Sequence, residues 1–160
     1  MDEMSYSQIE GILYNYKLII ASIENNKLRL ENLELEDLED GVSAITYGEP
    51  SSKTNKFNSV VENATIKNIE RKENLKKKIA IDTNTIHMID NALNALTELE
   101  RTIIEMFYIE NMEWWKVAAE VHYSEGWCKA KRNEAINKIL ATINGKELIE
   151  PNNERKDDEL

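Results

Sequence analysis

The sequence predicts an all-α protein, in which a long, coiled-coil-like N-terminal helical hairpin precedes a C-terminal tri-helical helix-turn-helix. Three observations predict this fold. The 160 residues include only five Gly and two Pro, so residues that favour turns are scarce. Aromatic residues, which favour sheets, make up 7% of the chain. Apolar residues recur at helical spacing along most of the sequence.

The first predicted helix covers residues 5–38. Its apolar residues follow one another in steps of three, four or seven, and they are Ile9, Leu13, Tyr16, Ile20, Ile23 and Leu30. The end of this segment, LRLENLELEDL, alternates as a strand would, but its Glu and Leu content favours helix. Such a helix would be about 50 Å long. Residues 40–57 follow, and their Gly, Pro, Ser and Thr predict a loop.

A second long helix is predicted for residues 59–96. It has a heptad seam formed by Leu75, Ile79, Asp82, Ile86, Ile89, Leu93 and Leu96. Two long amphipathic helices joined by a loop predict an antiparallel hairpin over residues 1–96. A lone hairpin does not fully bury the apolar sides of its two helices, so a third helix or a second copy of the chain should cover them. We expect a homo-oligomer, most simply a dimer, with helices pairing either within one chain or between chains.

A capping box, Thr97-Glu98-Leu99-Glu100, marks the start of a C-terminal domain at residues 97–144. Three helices are predicted there, over residues 98–109, 113–121 and 125–144. Ser124 should cap the third helix, and Asn144-Gly145 should end it. The remainder, residues 145–160, is predicted to be a disordered acidic tail.

Charge and composition exclude several classes of function. The net charge of −10 argues against a protein that coats nucleic acid non-specifically, because phosphate would repel most of its surface. The acidic N-terminus and the lack of a long apolar run predict a cytoplasmic protein without a membrane segment. Cys128 is the single cysteine, which fits a reducing compartment. His87 and His122 lack neighbours at ligand spacing, so we expect no metal.

The sequence also lacks a nucleophile–base pair or a pair of catalytic carboxylates that stands out from chance. We therefore expect no enzymatic activity and no cofactor. We therefore expect that the protein functions by binding a partner.

The stretch KVAAEVHYSEGWCKAKRNEAINKI, with LTELERTIIEMFYIENMEWWKVA before it, resembles region four of bacterial sigma factors. The matching positions are Leu99, Glu100, Arg101, Tyr108, Val117, Ala118, Glu120, Ser124, Glu125, Gly126, Lys129, Ala135 and Ile139. Two positions depart from that pattern. His122 stands where Gly is usual, at a turn position that favours positive φ. Arg132 replaces a core Leu, so the third helix is either rotated or carries the Arg stem along its surface.

Over most of its length the chain is similar to phage and prophage late-gene activators of the RinA-like and ArpU-like kinds. The resemblance implies a transcriptional regulator in a bacterial host cell that binds double-stranded promoter DNA and contacts RNA polymerase. No segment resembles sigma region two, which favours an autonomous activator over a complete sigma factor.

The third helix is the predicted DNA-reading element. Cys128, Ala135 and Ile139 share one side and should face the core. The candidates for DNA contact are Ser124, Glu125, Trp127, Lys129, Lys131, Arg132 and Asn133, whose side chains can reach phosphates or base edges. Trp115 and Lys116 are candidates for contact with the DNA backbone or polymerase, although Trp115 could equally serve in packing.

Trp114 is expected to be buried, and Trp127 either to be exposed at the DNA face or to pack on the hairpin. The alternative function is a helical adaptor or assembly protein without DNA binding. A small terminase subunit is one such protein, but there the helix-turn-helix precedes the oligomerising helices.

Overall fold

A computed structural model of the chain describes residues 3–45 and 55–146, and the surroundings of side chains in residues 3–38 and 63–146. Within these residues the protein is all-helical, without a strand, which confirms the predicted all-α class. No helix in the described ranges is both long enough and apolar enough to cross a membrane. The α-helices are α1 (Tyr6–Tyr14), α2 (Tyr16–Ile45), α3 (Asn55–Asn94), α4 (Glu98–Ile104), α5 (Trp114–Val121) and α6 (Glu125–Ile143).

The chain forms two compact units that differ from the predicted division at residue 96. Of the described residues, 3–14 and 88–146 form the first unit, and 15–45 and 55–87 form the second. The predicted helix over residues 5–38 is two helices, α1 and α2, with a break at Asn15. Ile9 and Leu13 of α1 are fully buried, and α1 packs against α6. Helix α1 therefore belongs with the C-terminal helices.

The second unit consists of α2 and most of α3. Ion pairs join Lys72 to Asp37 and Lys76 to Glu34, the latter with 3.8 Å between Nζ and Oε1. Because the residue numbers rise along α3 as they fall along α2, these contacts run antiparallel within one chain. The predicted loop over 40–57 is helical up to Ile45 and again from Asn55, and residues 46–54 lie outside the described residues.

The predicted capping box begins α4. The Thr97 backbone N–H donates to Glu100 Oε2 at 3.1 Å, and the Glu100 N–H donates to Thr97 Oγ1 at 3.3 Å. Helix α4 then continues as a π-helical turn, Glu105–Ile109, in which the Glu110 N–H donates to the Glu105 carbonyl at 2.9 Å. This turn lies within the predicted helix over residues 98–109, but the sequence did not predict its extra residue per turn.

The core of the first unit matches the predicted inward side of α6. Cys128, Ala135 and Ile139 are fully buried, as expected. Other fully buried side chains that surround them are Ile9, Leu13, Ile89, Ile103, Ile104, Val117 and Ile136. Gly145 has a φ of 63°, so the predicted end of α6 at Asn144-Gly145 is confirmed. Of the predicted tail, residues 147–160 lie outside the described residues.

Glu100 also connects α4 to α6. Its carboxylate is buried and accepts a hydrogen bond from Lys138 Nζ at 2.6 Å. Burial alone would raise the pKa of Glu100, but the hydrogen bonds from Lys138 and Thr97 outweigh burial and hold that pKa below its ordinary value. Glu100 is therefore charged at neutral pH and holds the start of α4 to the middle of α6.

Candidate nucleic-acid interface

The candidate interface is formed by α5, the turn after it and the first half of α6. Helix α5 ends at His122, which has φ 60° and ψ 37°, the left-handed conformation. The N–H groups of His122 and Tyr123 both donate to the Ala118 carbonyl, which closes the end of α5. The positive φ expected at this Gly-like position is therefore present. The turn is short and sets α6 directly after α5.

Ser124 caps α6 as predicted. Its Oγ accepts a hydrogen bond from the Trp127 N–H at 3.2 Å, and it is exposed together with the following Glu125. The cap satisfies one of the N–H groups that the first turn of a helix leaves without a partner. The start of α6 is thus both stable and open to solvent.

Both candidate lysines of α6 have carboxylate partners on the same helix. Lys129 Nζ lies 3.6 Å from Glu125 Oε2, and Lys131 Nζ lies 2.6 Å from Glu134 Oε2. The hydrogen bond to Glu134 raises the pKa of Lys131 above its ordinary value. Solvent screens exposed pairs of this kind and they contribute little, so a phosphate could displace either carboxylate.

Aromatic rings surround these lysines. Trp127 is half-buried and stacks on Tyr123 with 4.0 Å between ring centroids, and Lys131 Nζ lies 5.6 Å from the Trp127 ring. Trp127 therefore packs on the turn before α6, a neighbour that neither sequence expectation named. Trp114 is half-buried and stacks on Phe107 at 3.9 Å, which agrees in part with its expected burial.

Trp115 and Lys116 lie on the outer side of α5. Trp115 is 58% exposed, and Lys116 Nζ lies 5.2 Å from its ring. The Trp115 indole N–H donates to the Glu113 carboxylate. Such exposure of a large aromatic side chain leaves Trp115 available to a binding partner.

Arg132 points into the first unit rather than towards solvent. Its guanidinium lies 5.5 Å from the Trp114 ring and 5.7 Å from the Phe107 ring, and Nη1 donates to Tyr108 Oη at 3.4 Å. Tyr108 in turn donates to Glu10 Oε1 of α1 at 2.6 Å. Helix α6 is not rotated, because its core side is as predicted, and the Arg132 side chain is 23% exposed while its guanidinium is engaged within the first unit. Its contact with DNA stays a prediction.

Tyr108 is the centre of this polar connection. Burial and the hydrogen bond to Glu10 raise the pKa of Tyr108 well above its ordinary value, so its hydroxyl remains a donor. Sequence reasoning matched Tyr108 to the sigma pattern but missed Glu10. The two residues are 98 positions apart, and no local pattern indicates such a pair.

The most exposed face of α6 lies opposite its core side and includes one charged residue, Glu134. Asn133, the predicted reader of adenine, is on this face, and its Oδ1 accepts a hydrogen bond from the Tyr6 hydroxyl at 3.1 Å. The other members of the outer face are Gly126, Ala130, Glu134 and Asn137, all exposed. Lys129 lies along one edge of this face, and Lys131 lies beyond the other edge, where it pairs with Glu134. The sequence prediction missed Gly126, Ala130 and Asn137, although their spacing opposite Cys128 and Ala135 indicates them.

Comparison with known families assigns the chain to one of them. A family described as "Protein of unknown function (DUF722)" matches residues 6–141. The chain belongs to this family. The match extends from the start of α1 nearly to the end of α6, so it includes helices of both compact units. No curated protein and no solved structure matches the chain.

Within the described residues, no group of three or more His, Cys, Asp or Glu side chains could hold a metal ion. Cys128, the single thiol, is fully buried, and burial raises its pKa. The exposed outer face of α6, with its lysines and aromatic neighbours, remains the surface on which a function can be argued.

Proposed function

We propose that this protein is a sequence-specific DNA-binding transcriptional regulator of the phage or prophage type. In this proposal α5, the turn at His122 and α6 act as a helix-turn-helix, and α6 enters the major groove. The observation that carries the proposal is the outer face of α6, which is exposed, carries Gly126, Ala130, Asn133 and Asn137 with a single acid, Glu134, and has Lys129 on one side and Lys131 on the other. A groove-reading helix needs lysines beside its base-reading positions to bind the phosphates on either side, and Lys131 must exchange Glu134 for a phosphate to do so.

Each group has a distinct part in the proposed contact. Lys129 and Lys131 bind phosphates and position the helix, while Asn133 and Asn137 offer amides that can pair with adenine. Trp115 and Lys116 of α5 contact the DNA backbone or RNA polymerase. We further propose that α2 and α3 form an antiparallel hairpin for oligomerisation, and that the protein acts as an activator in the bacterial cytoplasm.

A titration of the full chain against fluorescent duplexes tiled across the intergenic DNA near its gene tests this proposal. We expect saturable binding to one duplex, with log affinity falling by about 0.9 per phosphate contact against log salt concentration. Binding that is equally weak on every duplex, by a folded protein, would contradict the proposal.

Charge reversal then locates the contact. The double variant Lys129→Glu with Lys131→Glu should lose most of its affinity for that duplex and lower the salt slope by about 1.8, for two lost phosphate contacts. The matched control is Lys67→Glu with Lys77→Glu, which changes the same net charge at exposed positions of α3. Equal loss in both variants would mean that the net charge, rather than the α6 surface, governs binding.

A second candidate function is a helical adaptor that binds protein and has lost DNA binding. Two observations favour it: both α6 lysines already have carboxylate partners, and the net charge is −10. Saturable binding to one duplex would exclude it. Flat titrations on every duplex, with exposed Trp115 required for binding to polymerase subunits, would support it.

A further inference from the structure

Helix α1 is fixed against α6, the helix from the other end of the chain. Ile9 and Leu13 of α1 are fully buried in the core of the first unit. Just before α1 begins, the Met4 N–H donates to Asn144 Oδ1 at 2.9 Å, and the Asn144 side-chain amide donates back to the Met4 carbonyl at 3.0 Å. Packing along its buried side and this reciprocal pair of hydrogen bonds together hold α1 in place.

Two side chains of α1 meet two neighbouring residues of α6. Glu10 Oε1 lies 3.8 Å from Arg132 Nη1, and the Tyr6 hydroxyl donates to Asn133 Oδ1 at 3.1 Å. Residues four apart lie on the same side of a helix, so one side of α1 makes both contacts. Arg132 and Asn133 are both predicted DNA contacts. Helix α1 therefore touches the surface of α6 on which the proposed function rests.

We infer that Tyr6 is a positioning residue for base recognition, whose hydroxyl holds the side-chain amide of Asn133 ready to bind adenine. This inference rests on the proposed function of α6. A carboxamide oxygen can accept two hydrogen bonds, so Asn133 Oδ1 can accept from Tyr6 and from the amino group of adenine together. The amide nitrogen of Asn133 is then left to donate to adenine N7, as bidentate recognition requires.

A donor hydroxyl distinguishes the two ends of an amide, because it can donate to the oxygen and not to the nitrogen. Burial raises the pKa of the Tyr6 hydroxyl above its ordinary value, so the hydroxyl keeps its proton at neutral pH. Asn133 itself is exposed, and an exposed asparagine held by no neighbour exchanges among rotamers. An amide that is already held in one orientation loses less freedom when it binds a base, which strengthens its preference for that base.

Binding of the full chain to the operator duplex and to its single base-pair variants tests the inference. Asn133→Ala should remove the preference for adenine at one base pair, which identifies the position that Asn133 reads. We expect Tyr6→Phe, which removes only the hydroxyl, to weaken the preference at that base pair by about two- to tenfold and to leave the preferences at other base pairs unchanged. The double variant should discriminate as Asn133→Ala does.

The matched control is Tyr14→Phe, which removes the same group from the same helix at a residue that is 49% exposed. Its base preferences should be those of the wild type. A purely structural role of Tyr6 would instead weaken binding to every duplex equally. That result, unchanged preferences in Tyr6→Phe, or unchanged preferences in Asn133→Ala would each overturn the inference while the proposed function stands.

Nuclear magnetic resonance of the free protein separates the inference from the proposed function. Side-chain coupling constants of Asn133 measure whether it has one χ1 rotamer or several. We expect one rotamer in the wild type and in Tyr14→Phe, and an average of rotamers in Tyr6→Phe. Averaging in the wild type would overturn positioning by Tyr6, whether or not the protein binds DNA. A wild type with one rotamer that binds no duplex would contradict the proposed function, and the role in adenine recognition would fall with it.

Discussion

Gly126 lies in the first turn of α6, on the exposed outer face. A Cβ added at this position would meet nothing within 4 Å, so packing within the described protein does not require glycine there. Glycine in a helix costs roughly 0.5–1 kcal/mol relative to alanine. Glycine has no side chain, so it allows another molecule to approach the helix backbone closely. Such an approach would explain a glycine that the fold itself does not require. This explanation fits the proposal that α6 enters a DNA groove.

We therefore predict that Gly126→Ala separates stability from binding. The free energy of unfolding in urea should rise by about 0.5 kcal/mol, because alanine favours helix. If α6 enters the groove as proposed, the affinity for the operator duplex should fall several-fold, because the new methyl group would then lie at the DNA surface.

The matched control for this prediction is Gly11→Ala in α1. A Cβ at Gly11 likewise meets nothing within 4 Å, so this variant should gain similar stability and keep its affinity. If both variants bind as tightly as the wild type, then DNA does not approach Gly126 closely.

Some conformations of single residues could be predicted from the sequence, and others could not. The positive φ of His122 was predictable because the turn pattern demands it, whatever residue stands there. The inward position of Arg132 was not, because a long side chain on the flank of a helix can turn either way. Its direction depends on Phe107 and Trp114, whose rings the π-helical turn and α5 bring together.

Helix α4 is held to α6 by the contact between Glu100 and Lys138, and this contact should make stability depend on pH. Because the pKa of Glu100 is lowered in the folded state, its contribution is complete above the unfolded pKa, about 4.3. The contribution is lost as the pH falls through the folded pKa. Glu100→Gln should therefore cost about 1–2 kcal/mol at pH 7 and progressively less below about pH 4.

The measurement is urea unfolding, followed by circular dichroism, at a series of pH values. The glutamine side chain can still accept a hydrogen bond from the Thr97 backbone N–H. The variant therefore removes the charge but keeps this part of the capping box. Glu98→Gln is the control, since Glu98 is exposed in the same first turn and should change stability by a few tenths of a kcal/mol. A pH-independent cost for Glu100→Gln would mean that its charge is not what joins the helices.

At the scale of helices, the C-terminal elements were predictable nearly to the residue because each has a local signal. Thr97 and Ser124 mark starts, and Gly145 marks an end. The break at Asn15 had no such signal: the apolar stripe of Ile9, Leu13 and Tyr16 continues in helical register across it. A stripe indicates that a side is buried, but it does not indicate which partner buries it.

For the whole molecule, the net charge of −10 limits how DNA can be bound. The protein as a whole repels phosphate, so a proposed contact confined to one face of α6 would give a single copy little affinity. Two copies joined through α2 and α3, as proposed above, would contribute two such contacts at once. The second contact then forms at high effective concentration, which multiplies affinity without any new interaction.

A dimer with two-fold symmetry also fixes the symmetry of its target. If α6 reads DNA and α2 and α3 form a two-fold dimer, as proposed above, the operator contains two half-sites in inverted orientation. We predict that the wild type binds the complete operator about a hundredfold more tightly than a duplex with one half-site scrambled. Leu28→Glu, which places a charge at an apolar position that is 57% exposed on the proposed oligomerisation helix α2, should remove this difference while its affinity for the single half-site stays as in the wild type. Fluorescence anisotropy with the two duplexes measures both quantities. A Leu28→Glu variant that still favours the complete operator would show that cooperation between half-sites does not come from this surface of α2.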